Sequence, residues 1–182
     1  MSTMYAALLR GVNVSGRRRV PMPELREVLG ELGHEDVATY LQSGNAVFSS
    51  ASGDESSLAA ELERAIEARF GFPVDCLVRS AGYLAAVAEA CPFPAAELEA
   101  KQLHVTYFDQ PVDAARFAAL DAAAFRPEEF RLGERALYLY APEGLGRSKL
   151  AVALGRPALT RGLVATSRNW NTVVKLVEMT RD

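Results

Sequence analysis

The strongest constraint on this chain is the order of elements over residues 4–79, which reads strand, helix, strand, strand, helix, strand. MYAALL (4–9) is an apolar run of strand length. Pro21 and Pro23 open a helix in which Leu25, Val28, Leu29 and Leu32 keep the helical period, and Gly33 closes it. VATYLQSGNAVFSS spells two strands of β-branched and aromatic residues around Ser43, Gly44 and Asn45, which is a hairpin signal. Asp54 or Ser56 caps a second helix carrying Leu58, Leu62, Ile66 and Phe70, stopped by Gly71 and Pro73. VDCLVR (74–79) is the fourth strand, and Ser80 starts a further helix that Pro92 ends. This order is that of a split β-α-β, ferredoxin-like unit.

A degenerate second copy follows. LHVTYF (103–108) reads as a strand, Val112 to Ala124 as an Ala-rich helix, and EEFRLGERALYLYAP as a strand pair turning at Gly133. Helices are expected from about Ser148 and from about Ser167. The fold class is therefore α+β, with duplicated ferredoxin-like units at 1–92 and 102–182, the second packed closely on the first. PFPAAELEAKQ is the boundary between them.

With 49% hydrophobic residues and a net charge of −3, the chain has enough apolar material for a core, and disorder by composition is excluded. No apolar run reaches the roughly 18 residues of a membrane span, and the N-terminal apolar run is short for a secretory signal, so a cytoplasmic setting and no membrane partner are expected. Cys76 and Cys91 have no CxxC partner and no nearby His, and read as inert thiols. Charge is uneven. Residues 51–100 hold nine acids against three arginines, residues 10–26 hold five arginines against Glu24, and residues 144–182 hold seven basic residues against Glu178 and Asp182. Basic ends around an acidic middle suit an anionic partner if the ends meet.

Four stretches carry recognition chemistry. RGVNVSGRRRVP supplies Arg10, Asn13 and Arg17 among glycines before a helix, without the Lys-Ser/Thr of a Walker loop. The hairpin turn adds Gln42, Ser43 and Asn45. GLGRSKL sets Arg147, Ser148 and Lys149 at a helix start. In ATSRNWNTVVKL, a helix capped by Thr166 or Ser167 would carry Arg168, Asn169 and Trp170 in its first turn, with Asn171 and Lys175 beyond. Asn and Trp are poor choices there by propensity, so a tertiary or ligand role is expected. Each stretch has a plainer explanation: a solvated loop, a tight turn, a capped helix, or polar groups that satisfy neighbouring backbone. No HExxH, GxSxG or zinc spacing occurs, His34 and His104 read as structural, and no metal, cofactor or catalytic residue is assigned.

With LLRGVNVSGRRRVPMPELR, TYLQSGNAVF, GRSKL and TSRNWNTVVKL in that order, the chain resembles the DUF1697 family of uncharacterised bacterial proteins from about Tyr5 to Leu176. Typical members read LRGINVGG where this chain has LRGVNVSG, so Ser15 replaces a usual glycine. The resemblance implies a small α/β protein with a duplicated ferredoxin-like plan, and no reaction. The leading expectation is a binding module for a phosphate-bearing or otherwise anionic ligand, such as a nucleotide or a single-stranded nucleic acid, in which Trp170 stacks on a base. The alternatives are a small hydrolase or transferase acting on a phosphorylated metabolite, and a non-catalytic structural or homodimerising protein.

Overall fold

The computed structural model describes every residue except Ser52 and Asp182. It is an α+β protein with two four-stranded antiparallel sheets. The chain divides into two compact units, one of residues 1–85 and 176–182 and the other of residues 86–175.

In the first unit, β1 (Thr3–Leu9), β2 (Glu35–Tyr40), β3 (Asn45–Ser50) and β4 (Cys76–Ser80) form a sheet ordered β2-β3-β1-β4. Two helices complete the expected alternation, α1 (Met22–Glu31) and α2 (Glu55–Phe70). Tyr5, Ala7 and Leu9 alternate onto one sheet face, as strand period requires, and join Phe48 and Val78 in a core. Leu58, Leu62 and Ile66 of α2 recur every four residues and bury against that face, alongside Leu25, Val28 and Leu29 of α1. The ends of α2 are set as the sequence suggests. Asp54 Oδ1 accepts from Ser56 N at 3.0 Å, and Gly71 closes the helix at φ +84°.

In the second unit, β5 (Leu103–Phe108), β6 (Glu129–Gly133), β7 (Ala136–Tyr140) and β8 (Ala165–Asn169) are ordered β6-β7-β5-β8. Numbered within its own half, this order matches the first sheet. A core of Phe108, Phe117, Leu137, Leu139, Leu150 and Leu154 lies on one face. The remaining helices are α3 (Ala81–Glu89), α4 (Lys149–Leu154), α5 (Pro157–Thr160) and α6 (Trp170–Thr180).

Two expected helical segments are corrected. Residues 112–124 do not form one helix. They hold 3-10 turns at Ala114–Phe117 and Ala122–Phe125. Alanine favours helix, but here it supplies no continuous apolar stripe. Asp113 caps the first turn through Ala115 N at 2.9 Å, and Phe117, Leu120 and Phe125 reach the core at spacings of three and five residues. Residues 165–169 are the edge strand β8, paired with β5 at Thr106↔Ser167 and Val105↔Arg168. Neither Thr166 nor Ser167 caps α6. Asn169 does, its Oδ1 accepting from Thr172 N at 3.1 Å.

The same design ends both sheets. Arg79 and Arg168 are each the fourth residue of the last strand and are both buried. Each precedes a cap residue: Ser80 Oγ accepts from Tyr83 N at 3.3 Å as Asn169 Oδ1 does from Thr172 N.

Burial disfavours the protonated form of both histidines. The His34 ring stacks on Phe48 at 4.4 Å, and burial lowers its pKa below 6.5, opposed in part by Glu61 at 3.7 Å. Burial alone lowers His104. The unfolded chain protonates these rings near the ordinary value, so their contribution is complete above about pH 6.5 and is lost as pH falls toward the folded values. Urea midpoints measured at pH 7 and pH 5 should fall less in a His34→Gln/His104→Gln double variant than in the unaltered protein.

Candidate functional site

In the first unit, the RGVNVSGRRR loop and the hairpin turn are joined by one side chain. Asn13 Nδ2 donates to Val20 O at 2.9 Å and to Gln42 O at 2.6 Å, while Oδ1 accepts from Val20 N at 2.8 Å. All of its hydrogen-bonding groups thus serve backbone. Asn45 is fully buried in the sheet and donates to Tyr40 O at 2.9 Å and to Ser43 Oγ at 3.1 Å. These two amides build the loops. Arg10 pairs with Asp75 at 3.5 Å across exposed surface, and Arg18 donates to Pro73 O and lies 5.9 Å over the Phe72 ring. Arg17 and Gln42 are left exposed at the loop tips.

In the second unit, Arg168 is buried and its Nη1 donates to Thr166 Oγ1 at 2.6 Å and to Ser167 O at 2.9 Å, within its own strand. Burial depresses its pKa to about 10, with the Tyr107 hydroxyl acting in the opposite sense. Such a guanidinium is still charged at neutral pH, and these two bonds hold its Nη1 to the strand that carries it. Trp170 is half-buried at the first position of α6, whereas Asn171 and Lys175 are exposed.

The GLGRSKL stretch is placed differently. A cavity of about 270 Å³ is lined by Arg147, Ser148 and Lys149 together with Arg126, Glu128 and Glu143. Its apolar lining includes Phe125, Pro127 and Pro142. A side cavity of about 90 Å³ shares Arg126 and Glu128. Ser148 shapes this wall: its hydroxyl donates to Glu128 Oε2 and accepts from Ala151 N at 2.9 Å as the cap of α4. That hydroxyl is fully engaged. By contrast, among the described residues none hydrogen-bonds or ion-pairs with the charged groups of Arg126, Arg147 or Lys149. Three unpaired cations against two carboxylates leave the cavity with an excess of positive charge suited to an anion.

Residue types and spacing singled out Arg147, Ser148 and Lys149, but missed Arg126, Glu128 and Glu143. Arg126 and Glu128 stand about 20 positions earlier, between a 3-10 turn and β6, and only folding brings them to the same cavity. Among the described residues, no group of three or more His, Cys, Asp or Glu side chains could hold a metal ion. Nor is any described helix long and apolar enough to cross a membrane.

The family model described as "Protein of unknown function (DUF1697)" matches residues 1–138. Among solved structures, the conserved bacterial protein SP0830 from Streptococcus pneumoniae is similar over 100% of both chains, at 25% identity and a TM-score of 0.79. No curated protein matches the chain. The family match includes Arg126 and Glu128 and stops short of Arg147, while the structural likeness extends over the whole cavity segment. With well over half of its length matched, the chain belongs to the DUF1697 family.

Proposed function

We propose that this protein binds a small phosphate-bearing or similarly anionic molecule in the cavity of the second unit. The observation that carries this reading is the set of three unpaired cations, Arg126, Arg147 and Lys149, around one concave space. Guanidinium and ammonium groups hold phosphate oxygens by charge-assisted hydrogen bonds, and apolar surface beside them strengthens those bonds by excluding water. In this reading the ligand set moves away from Asn13, Asn45 and Asn169, whose side chains bond backbone of the loops and of the start of α6. Those residues support the structural alternative, in which the amides of the motifs hold loops and helix ends in place. The matching strand order of the two sheets supports a duplicated ferredoxin-like plan, with residues 1–92 and 102–182 as its copies.

Isothermal titration with ribose 5-phosphate and thermal shift at increasing ligand test the site. Loss of either Arg147 or Lys149 to Ala should weaken binding by about tenfold or more, the equivalent of one charge-assisted bond. Both side chains are exposed and have no partner among the described residues, so unliganded stability should change by less than about 0.5 kcal/mol. Arg17→Ala in the first unit should leave binding unchanged. No binding at millimolar ligand, or equal loss in all three variants, would exclude this cavity as the anion site.

A further inference from the structure

We infer that the ligand of this cavity is a nucleoside monophosphate, or a phosphorylated ring compound of the same size and polarity, and not a polyphosphate, a dinucleotide or a nucleic acid strand. This rests on the anion-site reading and specifies its substrate class. The lining has two characters. Arg126, Arg147 and Lys149 carry the positive charge, whereas Phe125, Pro127 and Pro142 present apolar surface to the same space. A bare phosphate would satisfy the first group and leave the second wet, with most of the roughly 270 Å³ still filled by water. A planar base laid on Phe125 and the proline rings covers that surface and gains stacking that a sugar phosphate cannot.

Two carboxylates complete the match. Glu128 has one oxygen taken by Ser148, and Glu143 is exposed at the cavity. Carboxylates oppose a densely charged polyphosphate but accept hydrogen bonds from a ribose diol or an exocyclic amine. Size sets the upper limit. A cavity of about 270 Å³ lies just under the range of about 300–1,000 Å³ typical of drug-sized ligand sites, a size that suits one nucleoside better than two.

The test titrates the full chain with inorganic phosphate, ribose 5-phosphate, adenosine 5′-monophosphate and an oligonucleotide of ten thymidines. Adenosine 5′-monophosphate should bind at least about tenfold more tightly than ribose 5-phosphate, the scale of one stacked base. Phe125→Leu, which keeps apolar volume in a residue that also packs against the core, should remove most of that advantage by weakening adenosine 5′-monophosphate far more than ribose 5-phosphate. Arg147→Ala should weaken both ligands in proportion. Equal affinity for the two, or an advantage that survives Phe125→Leu, overturns the nucleoside assignment while the anion site stands. Tighter binding of the oligonucleotide than of the mononucleotide also overturns it. If none of the four binds, the anion site itself fails.

Discussion

Replacing Gly44 with alanine is expected to cost about 3 kcal/mol of folding stability, the sum of two penalties that share one methyl group. Gly44 sits at φ +91°, a conformation that an L side chain adopts only under strain. A Cβ built there would stand 2.8 Å from Leu9 Cβ and 2.8 Å from Val12 Cγ2. Leu9 Cβ cannot swing aside, because it is attached directly to a strand whose N–H donates to Gly44 O at 2.9 Å. Relief of the clash therefore requires the hairpin to move away from β1, which breaks that bond. Urea unfolding followed by circular dichroism measures the loss. A cost below about 1 kcal/mol would show that the turn relaxes easily and that the glycine is not required by packing.

Asn13→Ala should cost nearly as much, about 2–3 kcal/mol, for a different reason. The substitution removes three hydrogen bonds at once and leaves the N–H of Val20, a fully buried residue, without its acceptor. An unsatisfied buried backbone group costs about 1–3 kcal/mol, against about 1 kcal/mol for an ordinary net hydrogen bond. Asn13 also lies at φ +56°, where Asn is tolerated better than Ala. Because Nδ2 ties the RGVNVSGRRR loop to Gln42 O, hydrogen exchange should accelerate in both the loop and the hairpin turn. The same variant separates scaffold from recognition. Unchanged stability with lost phosphate binding would return Asn13 to the ligand set; lost stability with intact binding keeps it in the scaffold.

The first unit was legible because its signals are local. Pro21 and Pro23 at the start of α1, Asp54 and Gly71 around α2, and the hairpin glycine act within a few residues of themselves, so their meaning survives without a tertiary context. Local preference yields where it meets a tertiary demand. Alanine propensity argued for one helix over 112–124, yet Phe117, Leu120 and Phe125 reach the core only through separate turns. In ATSRNWNTVVKL the local capping signals, Thr166 and Ser167, precede the cap that forms, Asn169. Thr166 and Ser167 are good caps in isolation, but β5 had an open edge, and pairing with it satisfies the backbone of residues 165–169. One of the poor helix residues then has an account: Asn169 is the cap, and Arg168 before it is a strand residue.

The candidate site divides along the same line. GLGRSKL could be recognised because glycines, cations and a capping serine are adjacent in the chain. Arg126, Glu128 and Glu143 could not, because nothing in RPEE or in APEG distinguishes a cavity wall from a solvated turn. By itself the sequence determined the helix and strand order of the first unit, the hairpins and the helix caps that depend on neighbouring residues, since periodicity and capping are short-range effects. The tertiary structure alone decided which polar groups were committed to backbone and which cations stayed unpaired, since both depend on partners that lie distant in sequence.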